Sequence, residues 1–184
     1  DNELSNLLAI YSSNEITSNS VSSEQKLMVV FKSLGVTCSG NEVVKGLEEI
    51  KSEARKIFND DTFAEDLNIS LDGYSITYNE INNNYTIKLN SCPASEDFIV
   101  KSVVKATRAD DEIYIYQAFG YFIKGPENKY FVYDSALKTN QIGEFIDEAG
   151  TKEFNEVEKL KQFKWTFKKS SDNNYYFVSV TPVI

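Results

Sequence analysis

The sequence predicts an α+β fold in which N-terminal helices pack on a curved antiparallel β-sheet. Three observations lead there. Apolar residues recur at helical spacing in the first third of the chain, they alternate with polar ones through most of the remainder, and turn-forming residues separate the alternating runs at hairpin distances. Helices first, then strands joined by hairpins, is the order of a helical layer laid on one sheet. At 184 residues and 41% hydrophobic composition, the chain is large enough and apolar enough to bury its own core. It reads as one domain over 24–184, helical over 24–69 and mainly β over 70–184, preceded by a helix and tether at 1–23.

The elements follow in order. Leu4, Leu7, Leu8 and Tyr11 fall on one face of a first helix, and "YSSNEITSNSVSSEQ" (11–25), rich in Ser and Asn, reads as a tether. Ser22 with Gln25 forms a capping-box pattern, Leu27, Val30, Phe31 and Leu34 make the apolar stripe behind it, and Gly35 stops the helix. Asn41 can cap a third helix whose stripe is Val43, Leu47, Ile50, Ala54 and Ile57. "NDDTFAEDLNIS" (59–70) is a short helix or turn. Then the period changes to two. Tyr74, Ile76 and Tyr78 alternate with polar residues, as do Tyr85, Ile87 and Leu89, which gives a hairpin turning at 82–84. Further strands are expected at 98–107, 113–124, 129–134, 163–169 and 174–181, with one or two helical turns in "EFNEVEKLKQ". Gly120, inside the longest strand, marks a bulge or bend.

Composition removes several functions. A net charge of −9, with the basic residues scattered among acids, argues against nucleic acid and anionic membranes as partners. Histidine is absent, which takes away the side chain most used for proton transfer near neutral pH and for transition metals. No stretch approaches the roughly 20 apolar residues of a membrane-spanning helix. The chain opens on Asp1 and holds its sole methionine at Met28, so it reads as one whose leader or anchor has been removed, with any membrane contact made through that upstream segment. In that setting Cys38 and Cys92 are expected to form a disulfide, whose long loop would stabilise the fold by about 4 kcal/mol. Two buried thiols are the alternative.

The strand pair "FIVKSVVKATRADDEIYIYQAFGYFIKG", followed by "KYFVYDSA" and by the closing "FKWTFKKSSDNNYYFVSVTPV", resembles the NTF2-like (cystatin-like) superfamily over roughly residues 70–184. In particular it looks like uncharacterised surface-anchored proteins of low-GC Gram-positive anaerobes. The resemblance implies a cone-shaped half-barrel with a pocket between sheet and helices, and is compatible with a homodimer through the open face of the sheet. Enzymatic relatives place Asp/His or Tyr/Asp pairs in that pocket. Without histidine here, no catalytic residue carries over.

Three groups of residues compete as sites. Asp110, Asp111 and Glu112 sit between two apolar runs, where acids make a natural hairpin turn, and adjacent solvated carboxyls cannot be separated into an acid and a base. Asp60, Asp61, Glu65, Asp66 and Asp72 offer hard oxygens without the spacing of a calcium loop, so no metal is assigned. The aromatics remain. Most of them suit a core, but Tyr116, Gln117, Tyr121, Tyr133 and Trp165 are the ligand-binding candidates, since Tyr and Trp join apolar faces to polar tips. The expectation is therefore an extracytoplasmic, cell-surface-tethered, non-catalytic binding module that needs no cofactor. Its partner would be a small ligand or a protein. The alternatives are an NTF2-like isomerase or hydrolase using a buried Asp or Tyr, and a structural spacer.

Overall fold

The structure, a computed structural model, describes residues 4, 15–36, 42–64, 69–71, 73–89, 96–135 and 137–183. Its elements in chain order are β1 (Ile16–Thr17), α1 (Ser23–Ser33), β2 (Val43–Gly46), α2 (Leu47–Phe58), a 3₁₀ turn at Thr62–Ala64, β3 (Ile69–Leu71), β4 (Tyr74–Asn79), β5 (Asn84–Leu89), β6 (Phe98–Ala109), β7 (Glu112–Lys124), β8 (Lys129–Tyr133), β9 (Gln141–Ile146), a 3₁₀ turn at Val157–Lys159, β10 (Lys161–Lys169) and β11 (Tyr175–Pro182). The fold is α+β: two α-helices among the described residues, with antiparallel sheets. The helix expected over 1–11 lies outside the described residues apart from Leu4. So do Cys38 and Cys92, and with them the expected disulfide. Within the stretch that reads as a tether, Ile16–Thr17 pair with β11, Val21 is buried and Ser22 caps α1.

The chain divides into two compact units, one gathering Ser18–Ala94 with Lys169–Phe177, the other Leu4–Thr17, Ser95–Lys168 and Val178–Ile184. In the first unit, α1 begins where the capping pattern predicts. The Gln25 amide donates to Ser22 Oγ at 3.3 Å and the Ser22 amide donates back to Gln25 Oε1 at 3.2 Å. Val43 does not lead the next helix. The β-branched pair Val43–Val44 favours extended backbone, and β2 pairs with β5 (Val43 opposite Ile87), so α2 starts only at Leu47. It buries Leu47, Ile50, Ala54, Ile57 and Phe58, and ends at Asn59, whose φ of 54° gives the left-handed cap. The four-stranded sheet runs in the order β2-β5-β4-β3. Tyr85 of β5 ties it to the helices: its ring meets Phe31 edge-on at 5.6 Å and its hydroxyl donates to the Ala64 carbonyl at 2.5 Å. Lys26 of α1 is buried, with its ammonium 3.2 Å from Asp60 and over the rings of Phe58 and Phe63.

In the second unit, the sheet order is β1-β11-β10-β7-β8-β9, with β6 paired to β7 off that path. β7 is its centre. β6 follows one edge of β7 from Glu112 to Phe122, while β10 takes the other edge from Glu112 to Phe119 and β8 takes it from Tyr121 to Lys124. The sheet therefore forks at Gly120. A Cβ there would stand 2.8 Å from Leu160 Cδ2 and 2.9 Å from Phe122 Cε2, closer than carbon atoms approach, so any side chain at the fork has to displace those two. Of the bulge or bend expected at Gly120, the ladders show no bulge there; the register shift lies in β6, between Val103 and Lys105, where Val104 is the extra residue. Beyond the fork, the rings of Phe98, Phe122, Tyr130, Phe145 and Phe154 fill a core, with Phe98 stacked on Phe122 at 4.7 Å. Each such ring contributes about 1.5–3 kcal/mol by leaving water. β9 was not expected from sequence, and "EFNEVEKLKQ" yields only the 3₁₀ turn at Val157–Lys159.

Candidate functional site

Alternation along β7 sends its side chains to two faces. Ile113, Ile115, Gln117, Phe119 and Tyr121 share one. On that face Trp165 stands opposite Ile115, Phe163 opposite Gln117, and Tyr133 opposite Tyr121. Four of the five sequence candidates are thus brought together, but as a packed surface: Trp165 is 3% exposed and Gln117 8%, beside the fully buried Phe119. Tyr121 and Tyr133 are half-buried neighbours. Burial first, and the Asp97 carboxylate second, push the Tyr121 hydroxyl above its ordinary value, so it stays protonated at neutral pH.

Two buried carboxylates escaped the sequence reading, and each is engaged. Asp134 accepts from Asn140 Nδ2 at 2.9 Å and faces the Lys161 ammonium at 3.0 Å. Asp147 accepts the amides of Thr151 and Lys152 at 3.1 and 3.0 Å, closing the loop after β9. Both act as structural acceptors. Asp60 and Asp61 diverge, to Lys26 and to Arg55, and among the described residues no group of three or more acidic or cysteine side chains could hold a metal.

The opposite face of β7 differs. Glu112, Tyr114 and Tyr116 lie on it between strands that answer them row by row: Lys105, Tyr116 and Lys164; Thr107, Tyr114 and Thr166; Ala109, Glu112 and Lys168. The Lys164 ammonium sits 4.3 Å from the Tyr114 ring centre and that of Lys105 5.6 Å from Tyr116, contacts worth about 0.5–1 kcal/mol at exposed sites. The Tyr114 hydroxyl donates to Glu112, and that bond chiefly pushes the phenol above its ordinary value. Among the described residues Lys105, Lys164 and Lys168 form no ion pair, like Lys32, Lys138, Lys152 and Lys169, whereas Lys26, Lys45, Lys56, Lys124, Lys129, Lys159 and Lys161 do. Tyr116 is the one sequence candidate on this face. The lysines were visible in "FKWTFKK", alternating with rings, but alternation alone does not say which face water reaches.

This face borders an open edge. Among the described residues β6 pairs only with β7, and its residues 103–109 are exposed, Val103 at 59% and Val104 at 50%. The acids after it form the hairpin tip the sequence predicts: Asp110, at a φ of 50°, and Asp111 make the turn.

The first unit holds a separate open cleft of about 390 Å³, lined by Ser52, Arg55, Lys56, Asn59, Asp61, Ser170, Asp172 and Asn174. Its strongest charges are already matched, Arg55 to Asp61 at 2.7 Å and Lys56 to Glu53 at 3.1 Å. None of the sequence candidates lines it, and it has no aromatic floor. Compared with protein-family models, curated proteins and solved structures, the chain matches none.

Proposed function

We propose that this chain is a non-catalytic interaction module that binds through the Tyr–Lys face and open edge of its second sheet rather than through an enclosed pocket. One observation carries the reading. In a chain of net charge −9, two half-buried tyrosines and three lysines with no ion-pair partner among the described residues share one face beside an exposed strand. Rings flanked by cations supply contact area and orientation without chemistry. A catalytic reading lacks its parts: histidine is absent, and the buried carboxylates Asp134 and Asp147 are engaged.

The same reading takes the domain as NTF2-like (cystatin-like), supported by the order of helices before hairpin-linked antiparallel strands. It also takes it as an extracytoplasmic, surface-tethered domain, a setting in which the two cysteines would be oxidised to a disulfide.

Panning a random peptide library tests the surface directly. The native chain is expected to enrich peptides that a Tyr114→Ser, Tyr116→Ser, Lys164→Glu variant does not retain. Peptides retained equally by both would place binding elsewhere, and enrichment of none would favour a spacer.

A further inference from the structure

We infer that β6 accepts an extended acidic segment of a partner protein as an added strand, held by backbone pairing along residues 103–109 and by the lysines of the adjoining face. This rests on the surface-binding reading and names its partner.

The edge has the length and the exposure. At about 3.3 Å per residue, 103–109 offers roughly 20 Å of backbone, the span of an ordinary strand. Val103 and Val104 add exposed apolar area at one end of it. Strand addition to such an edge takes its affinity from main-chain hydrogen bonds and its selectivity from alternate side chains.

Charge decides which strand fits. On the face of Tyr114 and Tyr116 stand Lys105 of β6 and, across β7, Lys164 and Lys168, which together make that side of the edge basic. Glu112 is the one acid in those rows, and it accepts from Tyr114. An incoming strand with Asp or Glu at alternate positions sets its carboxylates on the side of Lys105. A second copy of this chain is a poorer occupant, because pairing β6 with β6 sets Lys105 and the lysines beside it near their like, and like charges on paired strands repel. A long polyanion is repelled by the net −9 of the whole chain and gains nothing from the strand edge.

The test is fluorescence anisotropy with a labelled peptide of roughly eight residues that alternates Glu with Val and Thr. Copies with Lys replacing Glu, and with alternate backbone nitrogens methylated, serve as controls, and polygalacturonate serves as competitor. The acidic peptide is expected to bind, to weaken as salt is raised, and to lose about tenfold or more in affinity to a Lys105→Glu, Lys164→Glu variant. The methylated and basic copies are expected not to bind. The proposal is overturned if the methylated copy or polygalacturonate binds as well as the acidic peptide. It is equally overturned if the charge-reversed variant binds unchanged, if the acidic peptide does not bind, or if the chain dimerises through this edge. Panned peptides that need the Tyr–Lys face yet are not acidic would overturn this partner while leaving the surface reading intact.

Discussion

At the residue scale, Lys26 shows how this chain buries a charge. Its ammonium lies over two rings and beside one carboxylate, so removing that carboxylate leaves the charge unanswered. Burial by itself would raise the Asp60 carboxyl, but the Thr62 hydroxyl and amide, with Lys26, outweigh it and hold it below its ordinary 3.8. A group that titrates lower when folded stabilises fully above its unfolded value, and that contribution is lost as pH falls through the lowered one. Asp60→Asn is therefore expected to cost about 1–3 kcal/mol at neutral pH, with the difference from the native chain narrowing in acid below about pH 4. Urea midpoints at neutral and acid pH check it. A difference that does not change with pH would mean that Asp60 contributes by shape alone.

At the element scale, the sheet depends on one strand serving three partners. Where β7 changes neighbours, at Gly120, Leu160 fills the space a side chain would take. Gly120→Ala is expected to cost about 1–3 kcal/mol, against the usual gain of Ala over Gly inside a strand. Leu160→Ala alone opens a cavity and costs about 2–5 kcal/mol, and the double variant is expected to cost less than the two together. Denaturant unfolding of the four proteins decides it, and strict additivity would contradict a fork packed this tightly. Much at this scale was legible in the sequence. Ser22 with Gln25 gave the start of α1, and alternation gave β4 to β8, β10 and β11. Other features were not legible, because they depend on pairing rather than pattern. Val43 is apolar at a helical spacing and at a strand spacing, and only its pairing with Ile87 decides between them. Gly120 announces a special backbone site, but whether it bulges or admits Leu160 is fixed by a residue far along the chain. β9, with Gly143 in the middle of "QIGEFI", lacks the aromatic alternation that marked the other strands.

At the scale of the whole molecule, charge and exposure separate what alternation could not. The structure divides the sequence candidates: Gln117 and Trp165 go into the packed face and Tyr121 and Tyr133 to its half-buried margin, while Tyr116, equally half-buried, lies on the opposite face. What marks the Tyr–Lys side is a cluster of lysines that, among the described residues, meet rings rather than carboxylates. That cluster is invisible in a composition average, because Lys105 and Lys164 meet only through β7. The central claim is that binding occurs on this face and its edge. Backbone amide NMR during titration with the acidic peptide tests it most directly. Binding there is expected to shift signals and slow hydrogen exchange at residues 103–109, with shifts at Tyr114, Tyr116 and Lys164. Changes confined to the cleft around Arg55 and Asp172, or no changes at all, would contradict it.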